Sequence, residues 1–308
     1  MIEKRAYLLD VSVRKPTESF LRRLIDRLAL LRYNELLLFS TISPSPLAST
    51  SNPPFSNSNP PFSNSNSSLQ LLSNWANLKG ISLRALNPQE LESLRAEGVA
   101  EASTQAPGSL AGRVEEMRER MGKAEEYGRE KGFRRFLVTD FSDGFDWHSP
   151  IVSLPGMVLG GYFASMGAKA AKIDLEREVS QFLDAPLAGS LLRLGTLYLR
   201  GGAYRDEASE FFNILSHDVG YSRHPGVTDH VLEEVSTILR GIMSEAERYL
   251  ARSESAKDVL YSALLLDAAC HRRSEARLRT VKEELVKMWN RHFESSGRED
   301  AALKIPRF

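Results

Sequence analysis

The sequence predicts an α/β fold over its first half and an α-helical second half, and three observations carry that reading. Residues 6–39 read as strand, amphipathic helix, strand; Phe136–Pro155 reads as an apolar strand running into a polar loop; and beyond Pro155 helical periodicity continues almost without interruption. Two short apolar runs joined by one helix form a right-handed βαβ unit, and hence a parallel sheet.

In the opening unit, Ala6–Val11 is the first strand and Glu35–Phe39 the second. Between them Pro16 suits the first turn of a helix, and Phe20, Leu21, Leu24, Ile25, Leu28 and Leu31 recur at helical spacing. The character then changes: from Thr41 to Ser68 the chain is Ser, Asn and Pro, with SNPPFSN repeated in tandem at Ser51 and Ser58. Such a tract buries too little apolar surface to offset its chain entropy and is expected to be disordered. Leu69–Leu78 then reads as a short helix, Gly80–Leu83 as a short strand and Pro88–Ala96 as a helix. After a Gly/Ser/Ala-rich connection, Leu110–Lys131 is a helix with Val114, Met117, Met121 and Tyr127 along one side.

The next strand, Phe136–Val138, has the continuous apolar character of a buried parallel strand. Beyond Pro155, Gly156–Ala171 is a small-residue helix whose glycines allow close packing. Further helices are expected near 174–183, 187–200, 203–215, 227–252 and 257–294, as an antiparallel layer or bundle.

Composition narrows the function classes. The 308 residues include 42% hydrophobic ones, enough for a sizeable core, and forty basic residues balance forty acidic ones. That balance gives no electrostatic reason for nucleic acid or an anionic membrane as partner. A single cysteine, Cys270, rules out an intrachain disulfide framework and fits a reducing compartment; within YSALLLDAACH it reads as a core residue. MIEKRAYLLDVSVRK lacks the apolar segment of a secretory signal, and no apolar run approaches a membrane span, so the expectation is a soluble cytoplasmic protein. In that setting the sequon Asn66-Ser67-Ser68 carries no meaning.

The loop after the third apolar strand holds the densest chemistry. Asp140, Asp143, Asp146, Trp147 and His148 follow the strand within a few residues, and ligands of α/β folds bind at such carboxyl ends. Carboxylates accept hydrogen bonds from vicinal hydroxyls while an indole face covers a sugar ring, so the composition suits a polyol and would repel a phosphate. A solvated loop with Asp143-Gly144 as its turn and Asp140 as a cap accounts for the same residues equally well. A metal site is not expected: an EF-hand-like loop would need a glutamate where Ile151 stands, and His217, Asp218, His224, Asp229 and His230 are too irregularly spaced for zinc. No cofactor is expected.

Residues 5–40, RAYLLDVSVRKPTESFLRRLIDRLALLRYNELLLFS, resemble the opening strand, helix and strand of the catalytic barrel of glycoside hydrolase family 20, the β-N-acetylhexosaminidases. SLAGRVEEM and KAEEYGREKGFRRFLVTDFSDGFDWHSPIVSLPGMVLGG resemble the last barrel helix and strand of a distant bacterial-type branch. FLDAPLAGSLLRLGTLYLRGG and LVKMWNRHFESSGREDAAL are similar to that branch's helical C-terminal domain. The likeness covers roughly two thirds of the chain. It implies a partial or remodelled TIM-type (β/α) barrel over 1–155, carrying the insert at 41–68, and an α-helical domain over 156–308.

The resemblance also implies an N-acetylhexosamine-type glycan as ligand, with Asp140 and Asp143 facing sugar hydroxyls and Trp147 or His148 lining the site. Asp10 and Arg14 stand near the family's first-strand pair, with Arg14 four residues after the aspartate instead of three, and Phe141 replaces a tryptophan of the pattern. Family chemistry needs an adjacent Asp-Glu pair at the fourth barrel strand, the glutamate as proton donor. The chain's one such dipeptide, Asp206-Glu207, lies in a helical context without that strand, so no catalytic pair is recognisable. Three expectations stay open: a hydrolase with an unrecognised proton donor, a non-catalytic glycan- or protein-binding relative, and an internally deleted gene product. Loss of barrel strands would expose edges, which predicts a homo-oligomer or a partner chain over the gap.

Overall fold

The computed structural model describes residues 2–41, 66–104, 113–141, 147–201, 228–271, 274–295 and 298. The expected disorder of the Ser/Asn/Pro tract, the roles of Asp143, Asp146 and Asp206-Glu207, the histidines at 217 and 224 and the helix at 203–215 fall on residues outside these ranges.

Five parallel strands form one sheet: β1 (Lys4–Asp10), β2 (Glu35–Phe39), β3 (Ser82–Leu86), β4 (Val99–Ser103) and β5 (Arg135–Asp140), in the order β3-β2-β1-β5-β4. β5 returns beside β1, with Lys4 opposite Arg135 and Leu9 opposite Asp140. The strand predicted at Gly80–Leu83 lies two to three residues later. β4 was expected as connection, because VAEAS is poor in β-branched residues. It forms an edge strand whose Ala100 sits against the backbone of Gly128, where a Cβ would stand 2.6 Å from the alanine methyl.

Alternation along each strand divides the sheet into two faces. Tyr7, Leu9, Leu36, Leu38, Phe136 and Val138 join the main core with α1 (Glu18–Leu30), α2 (Asn66–Leu78) and α4 (Val114–Lys131). Ala6, Leu8, Leu37, Phe39, Leu86 and Leu137 face the other way, where Leu91 and Leu94 of α3 (Pro88–Ala96) cover them. α3 links β3 at one edge to β4 at the other, so it spans the face of the sheet opposite the other helices. Two ion-pair groups fasten it. Arg95 donates to both carboxylate oxygens of Glu101 on β4 at 2.8 and 2.7 Å, and Glu97 accepts from Arg135 at 3.3 Å. Arg135 also pairs with Glu35 at 3.1 Å, two buried charges at the amino end of the same face.

The helical half packs against the first face. α5 (Leu154–Met166) is buried all round from Leu154 to Gly161, and α6 (Leu175–Val179), α7 (Ala185–Leu194), α8 (Asp229–Glu247), α9 (Glu254–Cys270) and α10 (Glu275–His292) follow. The helix expected over 257–294 is two helices, because Ser274 caps a new start by accepting from the Arg277 amide. Pro150–Lys172 has the length and composition of a membrane span, unlike the sequence expectation, yet 72% of that stretch is buried in the fold. One apolar core runs from the sheet through α8, α9 and α10. The chain ends of the two halves meet where the Thr17 amide donates to His292 O and the Glu294 amide to Lys15 O.

Close packing of α5 depends on Gly160, where a Cβ would stand 2.4 Å from Val138 Cγ2 and 2.6 Å from Tyr33 Oη. Gly160→Ala is therefore expected to destabilise by about 1–3 kcal/mol in urea unfolding. Gly241→Ala, on α8 with open space around it, should stabilise by up to about 1 kcal/mol.

Candidate functional site

A cavity of about 330 Å³ opens between the carboxyl ends of β1 and β5, the exposed and half-buried side of α1, the turn at Pro150, the start of α9 and the end of α10. Tyr7 and Leu9 reach it from β1, Phe20, Arg23, Leu24 and Arg27 from α1, and Asp140 from β5. Glu254 and Asp258 reach it from α9, and Arg291 and His292 from α10. The α1 set recurs every three or four residues, which is why one helix face supplies both the apolar wall and two guanidinium groups.

Asp140 is buried, on the same face as Phe136 and Val138. Tyr7 Oη donates to its Oδ2 at 2.7 Å and Ser153 Oγ to its Oδ1 at 3.0 Å. Burial raises its pKa, and the bonds from Tyr7 and Ser153 together with the Arg14 charge offset this only in part. Burial first, and then the neighbouring carboxylate, raises the Tyr7 hydroxyl well above its ordinary value. With the Thr104 hydroxyl also in reach, three of the carboxylate's roughly four acceptor positions are used, so Asp140 keeps capacity for about one ligand donor.

Asp258 is tuned the other way. Burial opposes ionisation, but the His292 Nε2 contact at 2.7 Å and the Arg291 Nη2 bond at 2.7 Å outweigh it and lower the pKa. Across one cavity the structure thus sets a carboxyl inclined to hold its proton and a carboxylate inclined to lose it.

The residues singled out from sequence are dispersed. Asp10 belongs to the opposite face from Asp140, since Leu9 is the partner of Asp140 in the ladder, and its side chain accepts from the Ser12 amide at 2.8 Å. Arg14 is buried away from the cavity wall: it donates to His148 O and contacts His148 Nε2, both at 3.0 Å, and lies over the Phe293 ring at 5.2 Å. A guanidinium has no acceptor, so His148 Nε2 accepts and its Nδ1 carries the proton. Trp147, 3% exposed, is a core residue whose carbonyl accepts from Tyr261 Oη and whose indole offers no face to a sugar. Of the expected ligand set, only Asp140 lines the cavity. At the strand ends of the α3-covered face, Phe39 and Phe141 meet edge to face at 5.5 Å. Among the described residues of HCDE type, no group of three or more could hold a metal ion.

Sequence reasoning missed Tyr7, Arg23, Arg27, Asp258, Arg291 and His292. Signals for two of them were present: Asp258 interrupts the apolar pattern of α9, and Arg23 and Arg27 recur one turn apart beside the apolar stripe of α1.

Removing Asp258 leaves the half-buried Arg291 guanidinium and the buried His292 ring without their shared acceptor, so Asp258→Ala should cost about 3–5 kcal/mol. Asp140→Ala, which strands two hydroxyls, should cost about 1–3 kcal/mol. The pH dependences have opposite sign. The lowered pKa of Asp258 gives stability that is present above the unfolded value near about 3.9 and is lost as pH falls through the folded one. The raised pKa of Asp140 withdraws stability as pH climbs from about 3.9 to its folded value. Urea titrations between about pH 3 and about pH 7 should therefore show the cost of Asp258→Asn growing with pH and that of Asp140→Asn shrinking. No protein-family model and no curated protein matches this chain, so its function rests on the geometry of this cavity.

Proposed function

We propose that this protein is a non-hydrolytic, barrel-derived relative of the family 20 hexosaminidases that binds one small polyhydroxylated molecule, of N-acetylhexosamine type, in the cavity at Tyr7 and Asp140. The strand order supports the origin. A closed (β/α) barrel joins its last strand to its first, so β3-β2-β1-β5-β4 is the order of an arc of third, second, first, eighth and seventh strands. α3 then stands where the remaining strands would close the barrel. Size supports the ligand class: about 330 Å³ lies at the lower end of the roughly 300–1,000 Å³ of ligand pockets, room for a sugar ring and not for a chain.

One observation carries the loss of hydrolysis. Asp10 and Asp140, the two carboxylates at described strand ends, lie on opposite faces of the sheet. They cannot act together on one glycosidic bond, and neither is followed by the glutamate that the family's chemistry needs: Val11 and Phe141 stand there. A second reading is carried by the opposed pKa shifts of Asp140 and Asp258, which fit an acid and a base acting across the cavity. Binding leads, because Asp258 already meets Arg291 and His292 with both of its oxygens.

Calorimetric titration with N-acetylglucosamine should show one site, weakened about tenfold by Tyr7→Phe or Asp140→Asn, as expected when one hydrogen bond to a charged group is lost. An aryl N-acetylglucosaminide should remain intact in the presence of the folded protein. Turnover above a blank that disappears in Asp140→Asn would overturn the binding reading in favour of hydrolysis, and indifference to the sugar would remove both.

A further inference from the structure

The cavity has a charge imbalance that a neutral sugar does not answer. Glu254 and Asp258 are matched: Asp258 by Arg291 and His292, Glu254 by Lys257 and, at 3.8 Å, by Arg291. Arg23 and Arg27 have no ion pair or side-chain hydrogen bond among the described residues, although both line the cavity. They stand one turn apart on α1, Arg23 exposed at the mouth and Arg27 half-buried further in. Like charges at this spacing oppose the helix that carries them. Burial pushes the Arg27 guanidinium below its ordinary pKa and the Arg23 charge pushes it further, and the attraction of Asp258, already engaged by Arg291 and His292, offsets this only in part. Two cations held together at a cavity wall, one of them partly stripped of water, make a site with an unmet demand for an anion.

His292 closes one side of the cavity: it is 7% exposed, and its Nε2 is engaged by Asp258 at 2.7 Å. Opposite it, Asp140 keeps acceptor capacity for about one hydroxyl group, while Phe20, Leu24 and Met157 supply apolar wall.

The geometry points to an acidic small molecule as the natural occupant: a hydroxylated ring bearing a carboxylate or phosphate ester, whose oxyanion bridges Arg23 and Arg27 and whose ring presents a hydroxyl to Asp140. The inference rests on the cavity being the ligand site and deepens it by fixing the ligand's charge. Guanidinium groups offer paired N–H donors that match either oxyanion, so carboxylate and phosphate share this chemistry.

The test uses the purified full chain with four probes: glucuronate, N-acetylglucosamine 6-phosphate, N-acetylglucosamine and inorganic phosphate. At least one acidic sugar should bind about tenfold or more tightly than the neutral one, and Arg27→Met should erase that preference. Which acidic sugar prevails identifies the oxyanion. Arg27→Met relieves a like-charge contact, so the unliganded variant should melt at the same temperature as the parent or higher. A loss of binding with an unchanged melting temperature therefore reports ligand contact and not misfolding. Equal affinity for charged and neutral sugars, or an acid preference that survives Arg27→Met and Arg23→Met, would overturn the anion site while leaving sugar binding in place. Stabilisation by inorganic phosphate that requires Arg27, with no sugar bound, would keep the anion site and remove the carbohydrate reading. Failure of all four probes would remove both.

Discussion

The pairing of β1 with β5 is the contact on which the rest of the molecule depends. It joins two segments far apart in the chain, and its register, Leu9 opposite Asp140, decides which side chains share a face. A slip of one residue in β5 would turn Asp140 to the α3-covered face while Tyr7 stayed on the helical face. Tyr7 then could not donate to Asp140, and the cavity would lose that carboxyl group. The same pairing sets the start of α1 beside the end of β5, which lets the Arg23 and Arg27 face of that helix close over the carboxylate.

A parallel sheet is stable only when both faces are covered. The helical side is covered by α1, α2, α4 and α5, as in any βα array. The other side is covered by the nine-residue α3 with Leu91 and Leu94. Its capping box, Asn87 with Glu90, gives it a defined start immediately after β3, and the Arg95–Glu101 pair ties its end to β4. One short helix thus covers the second face of the sheet. On edge strand β3, Arg84 is exposed, a charge that discourages pairing with another chain.

The elements with strong periodicity were legible in the sequence. Glu35–Phe39 and Pro88–Ala96 stand where the pattern places them, since continuous apolar character and an Asn-Pro helix start leave few alternatives. β4 was not legible, because Ala100 and Ala102 are chosen for close approach to α4 and not for β propensity. The polar cluster after β5 was legible as a cluster but not in its orientation. Sequence shows that Asp140, Trp147 and His148 are near one another, whereas alternation and burial decide that Asp140 turns to the helices and that Trp147 enters the core. The remaining site residues come from α1, α9 and α10, and only tertiary packing brings those helices to one wall.

Burial and charge together support the proposal that the cavity holds a molecule without cutting it. A hydrolytic carboxylate must keep an oxygen free for the reacting centre. Asp258 instead meets His292 with one oxygen and Arg291 with the other, an arrangement that ties α9 to α10 and depresses its pKa at the expense of availability. Asp140 is the reverse case: it has no ion-pair partner in contact, it is held by the Tyr7 and Ser153 hydroxyls with Thr104 in reach, and burial raises its pKa. The cavity thus joins one committed charge cluster, one carboxyl held by hydroxyl groups and two arginines that form no ion pair among the described residues. The first holds the wall in place, and on the proposed reading the second meets ligand hydroxyls while the third sets the preference in charge.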